Sequence, residues 1–511
     1  MMNKALLLGL SFWAGALAAV SAAAAPSSSW LPKDECKKVW KTGDGQYRAG
    51  ESYADYVSRA RRTECRKNWT VLVYMAADNN LSPYAGWDLY EMEAAFGEVA
   101  PRAASTAITD LVVQLDASGN GGVKRFHMFE GKEPYRMRKL ADFAPGFEAK
   151  VASPVAMTLP ELDSADPANF EEFLAWGMKS YPADHYLVIL WGHGEGWTPA
   201  PRKHGAAPTS PAGGVAFDDT SKTVMNIPAL SAVLKNVSTR VLEGRPIDVY
   251  AADACLMQMV EVTTEFADSV RFAVGSTQIQ SLLGLPYRRL LWEINKNSYL
   301  SLKKTAPPTA DDAYLLAQMI PSLFRKSLDR TRGLQGRIDG DSAKSFTSSA
   351  VSLADLRRLA LPALKNFGEA MDEWLREKPL RALAVQGIVQ SGDFISYEGG
   401  ARDLSAFLML VKMAVDQDVE MDASAQATPA ATRLKAAIDV ARDSLRESVI
   451  ASSFGSEYTT ADDKFYLLGY RVLSTWVPTN PQQFSERVGD FRTSRFYKAT
   501  NWGAWLGRVF K

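Results

Sequence analysis

Tyr186-Leu187-Val188-Ile189-Leu190 runs straight into Trp191-Gly192-His193-Gly194-Glu195-Gly196-Trp197, and Ile247-Asp248-Val249-Tyr250-Ala251-Ala252 runs into Asp253-Ala254-Cys255-Leu256-Met257. Each opening is a mostly apolar, β-favouring run of five or six residues, bounded by Gly or acidic breaks, and reads as a strand buried on both faces. Helical spacing precedes both, from about Pro167 to Ser180 and from about Ile227 to Leu242. Strands alternating with helices mean βαβ units and a mainly parallel sheet, an α/β fold. In such sheets the crevice outside the carboxyl ends of the strands is where chemistry is done. There the sequence sets an imidazole at one strand end and a thiol at another. His193 as general base and Cys255 as nucleophile make a cysteine hydrolase layout.

Outward from this pair the same alternation continues. Trp69–Ala76 is a strand ending in Ala77-Asp78-Asn79-Asn80, Leu111–Asp116 is a second, and Val270–Ser276 follows a helix expected to start near Met257, just beyond Cys255. Leu89–Val99 has helical spacing. Thr198–Gly214 holds four prolines and three glycines and reads as an exposed loop carrying Arg202 and Lys203. Lys303–Asp312, with Pro307 and Pro308, reads as a domain boundary, and Arg330–Ser342 and Asp422–Arg433 read as loops. Ser352–Ser452 is mostly helical, Gly469–Pro478 is a late strand, and Trp502 and Trp505 of the tail are simplest as core. The expected organisation is a signal peptide over 1–25, an N-terminal arm or pro-segment over 26–68, a catalytic α/β domain over 69–302, and a mostly helical C-terminal region over 303–511.

The 511 residues carry no net formal charge, with 47% hydrophobic and 23% charged residues, which gives no support for nucleic acid or an anionic membrane as partner. Lys4, the apolar Ala5–Val20 and the small residues Ser21–Ala25 form a secretory signal pattern, cut near Ala24 or Ala25. Export to the periplasm, cell surface or medium is expected, with no stable membrane association after cutting. In an oxidising compartment Cys36 and Cys65 are candidates for a disulfide, contributing roughly 3–4 kcal/mol by loop closure. Cys255 is then the odd cysteine, either a reactive thiol or a small buried core residue. Its position at a strand end favours the thiol.

A thiol of pKa near 8.5 needs an imidazole or a helix N-terminus beside it to react at neutral pH. Gly192, Gly194 and Gly196 let a peptide backbone come close. The amides of Gly194 and Cys255 are candidates for an oxyanion hole. Asp253, two residues before Cys255 on an extended segment, points to the same face and reads as a strand-end cap or a supporting group. His127 and His185 sit in strands and read as structural, and His204 lies in the exposed loop. No His-x-x-x-His or Cys-x-x-Cys pair points to zinc.

Trp69–Leu81, the His193-Gly194 box with Trp197, and Asp253-Ala254-Cys255-Leu256-Met257 with Glu261 resemble the clostripain-type (C11) cysteine peptidases of the caspase, gingipain and legumain clan. So do Phe217-Asp218-Asp219-Thr220 leading to Ile227, Ser276, Gly284-Leu285-Pro286-Tyr287, Ser349–Leu353 and the aromatic C-terminus. The resemblance runs from about residue 69 to the end. It implies a caspase-like fold, a Cys255–His193 dyad hydrolysing peptide bonds, and Asp253 in support. Members that cut after Arg or Lys carry an acidic residue one before the glycine matched by Gly284. Here that position is Leu283, and Gln278 and Gln280 stand where acidic residues are frequent. With Ser276 and Leu283 as pocket residues, a basic P1 side chain would be buried unpaired, so a neutral or apolar P1 is expected.

The resemblance also implies self-processing after Arg202 or Lys203. No cofactor is expected: calcium dependence occurs among similar peptidases, but Asp339-Gly340-Asp341 is too sparse a cluster to count as a site here. Substrates are then proteins or peptides; oligomeric state is left open. Two alternatives stand beside this reading: a catalytically degenerate secreted binding protein on the same scaffold, and a transpeptidase in which an amine resolves the acyl-enzyme.

Overall fold

Along Lys67–Ala77 the side chains alternate between two apolar environments. Leu72, Tyr74 and Ala76 join one buried cluster, and Val71, Val73 and Met75 join another. A strand that is apolar at both phases of its two-residue period needs cover on both faces. The result, in the computed structural model, is a helix–sheet–helix sandwich. The structure describes residues 31–41, 47–48, 50–94, 104–119, 122–129, 140–143, 146–197, 213–338, 345–390, 400–421, 427–455 and 471–511.

In chain order the strands are β1 (Lys67–Ala77), β2 (Thr109–Ala117), β3 (Val123–His127), β4 (Val155–Leu159), β5 (Ala183–Trp191), β6 (Gly194–Gly196), β7 (Gly214–Asp218), β8 (Thr223–Met225), β9 (Ile247–Asp253), β10 (Val270–Gly275), β11 (Thr347–Ser352), β12 (Ala401–Asp403), β13 (Val449–Phe454) and β14 (Ser474–Trp476). Nine form the central sheet, in the order β13-β11-β10-β9-β5-β1-β2-β3-β4. The middle five, β10, β9, β5, β1 and β2, run parallel; the flanking pairs are antiparallel. This is the α/β architecture read from the sequence. β6, β7 and β8 make a small antiparallel sheet beyond the carboxyl end of β5.

Helices Pro167–Ser180 and Ile227–Arg240 cover one face through Phe170, Phe173, Leu174, Leu230, Leu234 and Val237. Both begin with proline in the first turn after a side-chain cap. Asp166 accepts from Ala168 N–H at 2.9 Å and Asn226 from Ala229 N–H at 2.8 Å, so the helix starts were readable to the residue. Helices Ser82–Glu93, Tyr287–Lys296 and Asp312–Ile338 cover the other face. The C-terminal region completes the sheet through β11 and β13, and packs Trp502 and Trp505 with Phe367 and Phe407 in a fully buried aromatic group. No described helix is long and apolar enough to cross a membrane.

Four local expectations are corrected. The described helix at the segment expected to be helical over Leu89–Val99 is Ser82–Glu93, started by Pro83 in its first turn, and residues 95–99 lie outside the described residues. Arg330–Ser342 is not a loop up to Ile338, because the helix anchored by Leu315, Leu316, Ile320 and Leu323 continues through it. Asp422–Arg433 gives way at Thr428, whose hydroxyl caps the helix Pro429–Ser448. The helix after Cys255 starts at Val260 rather than Met257. Residues 1–25, the loop with Arg202, Lys203 and His204, and Asp339–Asp341 lie outside the described residues.

At the amino ends of the parallel strands every buried charge has a partner. Asp110 takes Arg62, the Lys67 ammonium at 2.8 Å and His127 Nε2 at 2.9 Å, all buried. Burial opposes its charge, but the Arg62 and Lys67 cations hold the carboxyl far below the usual range. Asp248 likewise takes His185 and Arg271, each at 3.1 Å. Arg62 reaches this network from the N-terminal arm, where Cys36 and Cys65 form a disulfide with a Cα–Cα distance of 5.5 Å.

Candidate active site

The carboxyl ends of β5 and β9 fix the site. The two strands are parallel neighbours with Trp191 opposite Asp253, and Gly192 N–H donates to the Asp253 carbonyl at 3.2 Å. His193 and Cys255 each follow two residues after that pair, so they leave adjacent strands in the same register, on strands about 4.8 Å apart. Gly194 closes the gap further. A Cβ placed on it would lie 2.4 Å from the Cys255 carbonyl and 3.3 Å from its nitrogen, so only glycine lets the two loops pack this closely.

The imidazole is half-buried and held on one side. Its Nε2 lies 2.7 Å from Asn80 Oδ1, at the end of β1, and its ring meets Phe217 edge-on with centroids 5.9 Å apart. An amide oxygen can only accept, so Nε2 carries the proton and Nδ1 is the base nitrogen of the neutral ring. Burial lowers the imidazole's affinity for a second proton, and Asp219 offsets this only in part. The ring is therefore neutral at neutral pH.

Cys255 is partly buried and lies outside any disulfide. Its sulfur receives a hydrogen bond from the Gln280 backbone N–H at 3.2 Å. Such a donor favours the thiolate. It stands in for the helix N-terminus expected beside the thiol, since the helix begins five residues on.

Asp253 organises the loop that supplies this donor. Its buried carboxylate accepts from Leu285 N–H at 3.0 Å, from the Tyr287 hydroxyl at 2.8 Å and from the Gln280 side-chain amide. Burial still pushes its carboxyl up to about 6, against those donors. Asp88 lies beside it, accepting from Trp191 Nε1 at 2.7 Å; burial and then the Asp253 charge drive the Asp88 carboxyl well above the usual range. Gly284, at φ +58°, passes over both: a Cβ there would sit 2.8 Å from Asp253 Oδ2 and 2.9 Å from Asp88 Oδ2. Ser276 is fully buried, its hydroxyl bonded to Gln278 O and Thr347 Oγ1, each at 2.9 Å. Leu283 is buried in the apolar cluster that contains Trp191 and Leu285.

A profile of the clostripain family matches residues 73–357, more than half of the chain. The chain belongs to the clostripain family. Clostripain of Hathewaya histolytica is 26% identical over 202 residues, which make up 39% of this chain and 35% of that protein. The aligned part thus spans about a third of that relative's length. Among solved structures, a secreted C11 cysteine protease from Bacteroides thetaiotaomicron, in complex with an irreversible peptide inhibitor, superposes with a TM-score of 0.50 at 21% identity, over 85% of this chain and 99% of that one. An inactive zymogen C11 protease from Parabacteroides distasonis gives 0.52 at 16%, over 85% and 98%. These likenesses bear out the caspase-like fold that the sequence resemblance implied.

The strand ends bring together His193, Gly194, Asp253, Cys255 and the Ser276–Leu283 loop. Sequence reading gave no site role to Asn80 or Tyr287, though both stand in stretches it quoted, and it did not name Asp88. Asn80 carried the one usable signal, as a polar residue just past the end of a strand adjacent to the histidine strand.

Proposed function

We propose that this chain is an exported cysteine endopeptidase in which Cys255 is the nucleophile and His193 its base and acid. The observation that carries the reading is the in-register exit of both residues from adjacent parallel strands, with the Gly194 backbone packed on Cys255. His193 Nδ1 takes the thiol proton, and the Gln280 N–H supports the thiolate. The sulfur attacks the scissile carbonyl, and the Gly194 and Cys255 amides receive the oxyanion. The imidazolium protonates the leaving amine, and water then releases the acyl-enzyme.

P1 is neutral or apolar in this reading. A basic P1 side chain needs a carboxylate to face it. The carboxylate beneath the loop, Asp253, already accepts from three donors, and Gln280 turns its amide inward to it. Leu283 offers the substrate no charge. Arg202 and Lys203 would then be poor self-processing sites. Cleavage of a randomised peptide library tests activity and pocket together. Cutting after neutral residues is expected; exclusive cutting after arginine would overturn the P1 assignment, and no cutting at all would favour a binding protein on this scaffold.

A further inference from the structure

Between Cys255 and the helix Val260–Glu265 the chain makes a turn that its own residues do not favour. Leu256 holds φ +62°, the left-handed region in which the Cβ of an L-residue crowds the following carbonyl oxygen. Such a residue persists only where its surroundings over-determine it. Here the restraint is a short antiparallel ladder: Leu256 N–H donates to Gln278 O at 3.3 Å, and Gln258 N–H to Ser276 O at 2.9 Å. The same pairing brings the next donor of that segment, Gln280 N–H, to the Cys255 sulfur at 3.2 Å.

Gln258 fastens this turn from behind. Its side chain is buried, and its Nε2 donates to Ser349 O at 3.2 Å and to Ser349 Oγ at 3.0 Å, both on β11. The Ser349 hydroxyl in turn donates to Val472 O at 2.5 Å. The Gln258 carbonyl accepts from the N–H of Ser474, the first residue of β14, at 3.1 Å. A Cβ on Gly275 would lie 2.9 Å from Gln258 Oε1, so the glycine that ends β10 leaves the room the amide fills. One residue, three positions past the nucleophile, thus ties the turn to the end of β10, to β11 and to β14.

We propose that Gln258 is a positioning residue for Cys255. It holds the strained Leu256 turn in the register that sets the sulfur on the Gln280 N–H, the donor that favours the thiolate. A turn released from β11 can relax its strain or slip its ladder, and the sulfur then leaves that donor. Its proton is lost at higher pH, and the line of attack is less well fixed. The effect on turnover rests on the peptidase reading; the seating of the thiol does not.

Two substitutions separate these parts. Gln258→Met keeps the length of the side chain and removes its donor and acceptor. Ser349→Ala removes one of the two acceptors on β11 and leaves the other. Cys36 and Cys65 are paired, so Cys255 is the free thiol of the chain. The rate of its alkylation by iodoacetamide, followed against pH on the full chain, reads the thiolate whether or not the chain is a peptidase.

The alkylation midpoint should move up by about one pH unit in Gln258→Met, and by a smaller step in the same direction in Ser349→Ala. On a peptide substrate, Gln258→Met should lower kcat about tenfold and leave KM within about twofold. A folded Gln258→Met with the wild-type alkylation profile would overturn the proposal, as would a drop in Tm with no change in alkylation or kcat. Should Gln258→Met fail to fold, Ser349→Ala decides: a raised midpoint supports the proposal and an unshifted one overturns it. A chain that cleaves no peptide, yet shows both shifts, keeps the proposal and loses the peptidase reading.

Discussion

The two ends of the parallel sheet are built on opposite electrostatic plans. At the amino ends, Asp110 is paired with Arg62 and Lys67 and Asp248 with His185 and Arg271, while His127, whose pKa burial lowers to about 4, adds a hydrogen bond to Asp110. At the carboxyl ends, Asp88, Asp116 and Asp253 are buried without an ion-pair partner among the described residues, and each carboxyl is pushed upward by burial. Paired buried charge is expensive to break and holds an assembly in one arrangement. Unpaired buried carboxylates give up stability and leave polar groups positioned for work. One end of the sheet fastens the N-terminal arm; the other presents the chemistry.

The comparison breaks or sharpens with substitutions at each end. The largest effect belongs to the carboxyl end. His193→Ala should lower kcat/KM on a peptide substrate about 10²–10⁴-fold, the range of a lost general acid–base, while Tm moves little. A comparable loss of Tm would mean that the imidazole is a structural strut.

Arg62→Ala should do the reverse. It strands Asp110 with one cation fewer in a fully buried site, costing about 3–4 kcal/mol of stability in denaturant unfolding. The fraction that stays folded should keep its kcat/KM. Unchanged stability would show that the arm does not fasten the sheet.

Asn80→Ala, smaller again, should lower kcat/KM about tenfold by freeing the ring to rotate. Its pH profile separates positioning from general damage. Burial depresses the His193 pKa, so the wild-type acid limb should fall below the ordinary imidazole value of 6.5, where the ring becomes protonated and cannot accept from the thiol. In Asn80→Ala a ring that swings toward solvent should show an acid limb moved up toward 6.5. An unshifted limb with the same loss of rate would argue against a seat set by Asn80.

The sheet was legible because its signals are local. Apolar runs such as Leu187–Leu190 and Val71–Met75 admit few readings, and the Asp166-Pro167 and Asn226-Ile227-Pro228 starts announce their helices. The positions of His193 and Cys255 followed from those strand ends. What escaped depends on contacts distant in sequence. Asp88 meets Trp191 across 103 positions and Gln280 reaches Asp253 across 27, with no periodicity to announce either. Arg330 sits in a polar, glycine-containing stretch that resembles a loop, but tertiary packing upstream carries the helix through it.

The central claim is that His193 activates Cys255, and covalent labelling tests it most directly. The purified full chain is treated with a peptidyl acyloxymethyl ketone bearing a neutral P1 residue, and the adduct is mapped by mass spectrometry. The account predicts one adduct, on Cys255, absent in Cys255→Ala and formed at least a hundredfold more slowly in His193→Ala. Labelling of Cys255 at the same rate in His193→Ala, or no labelling of the folded protein, would contradict it.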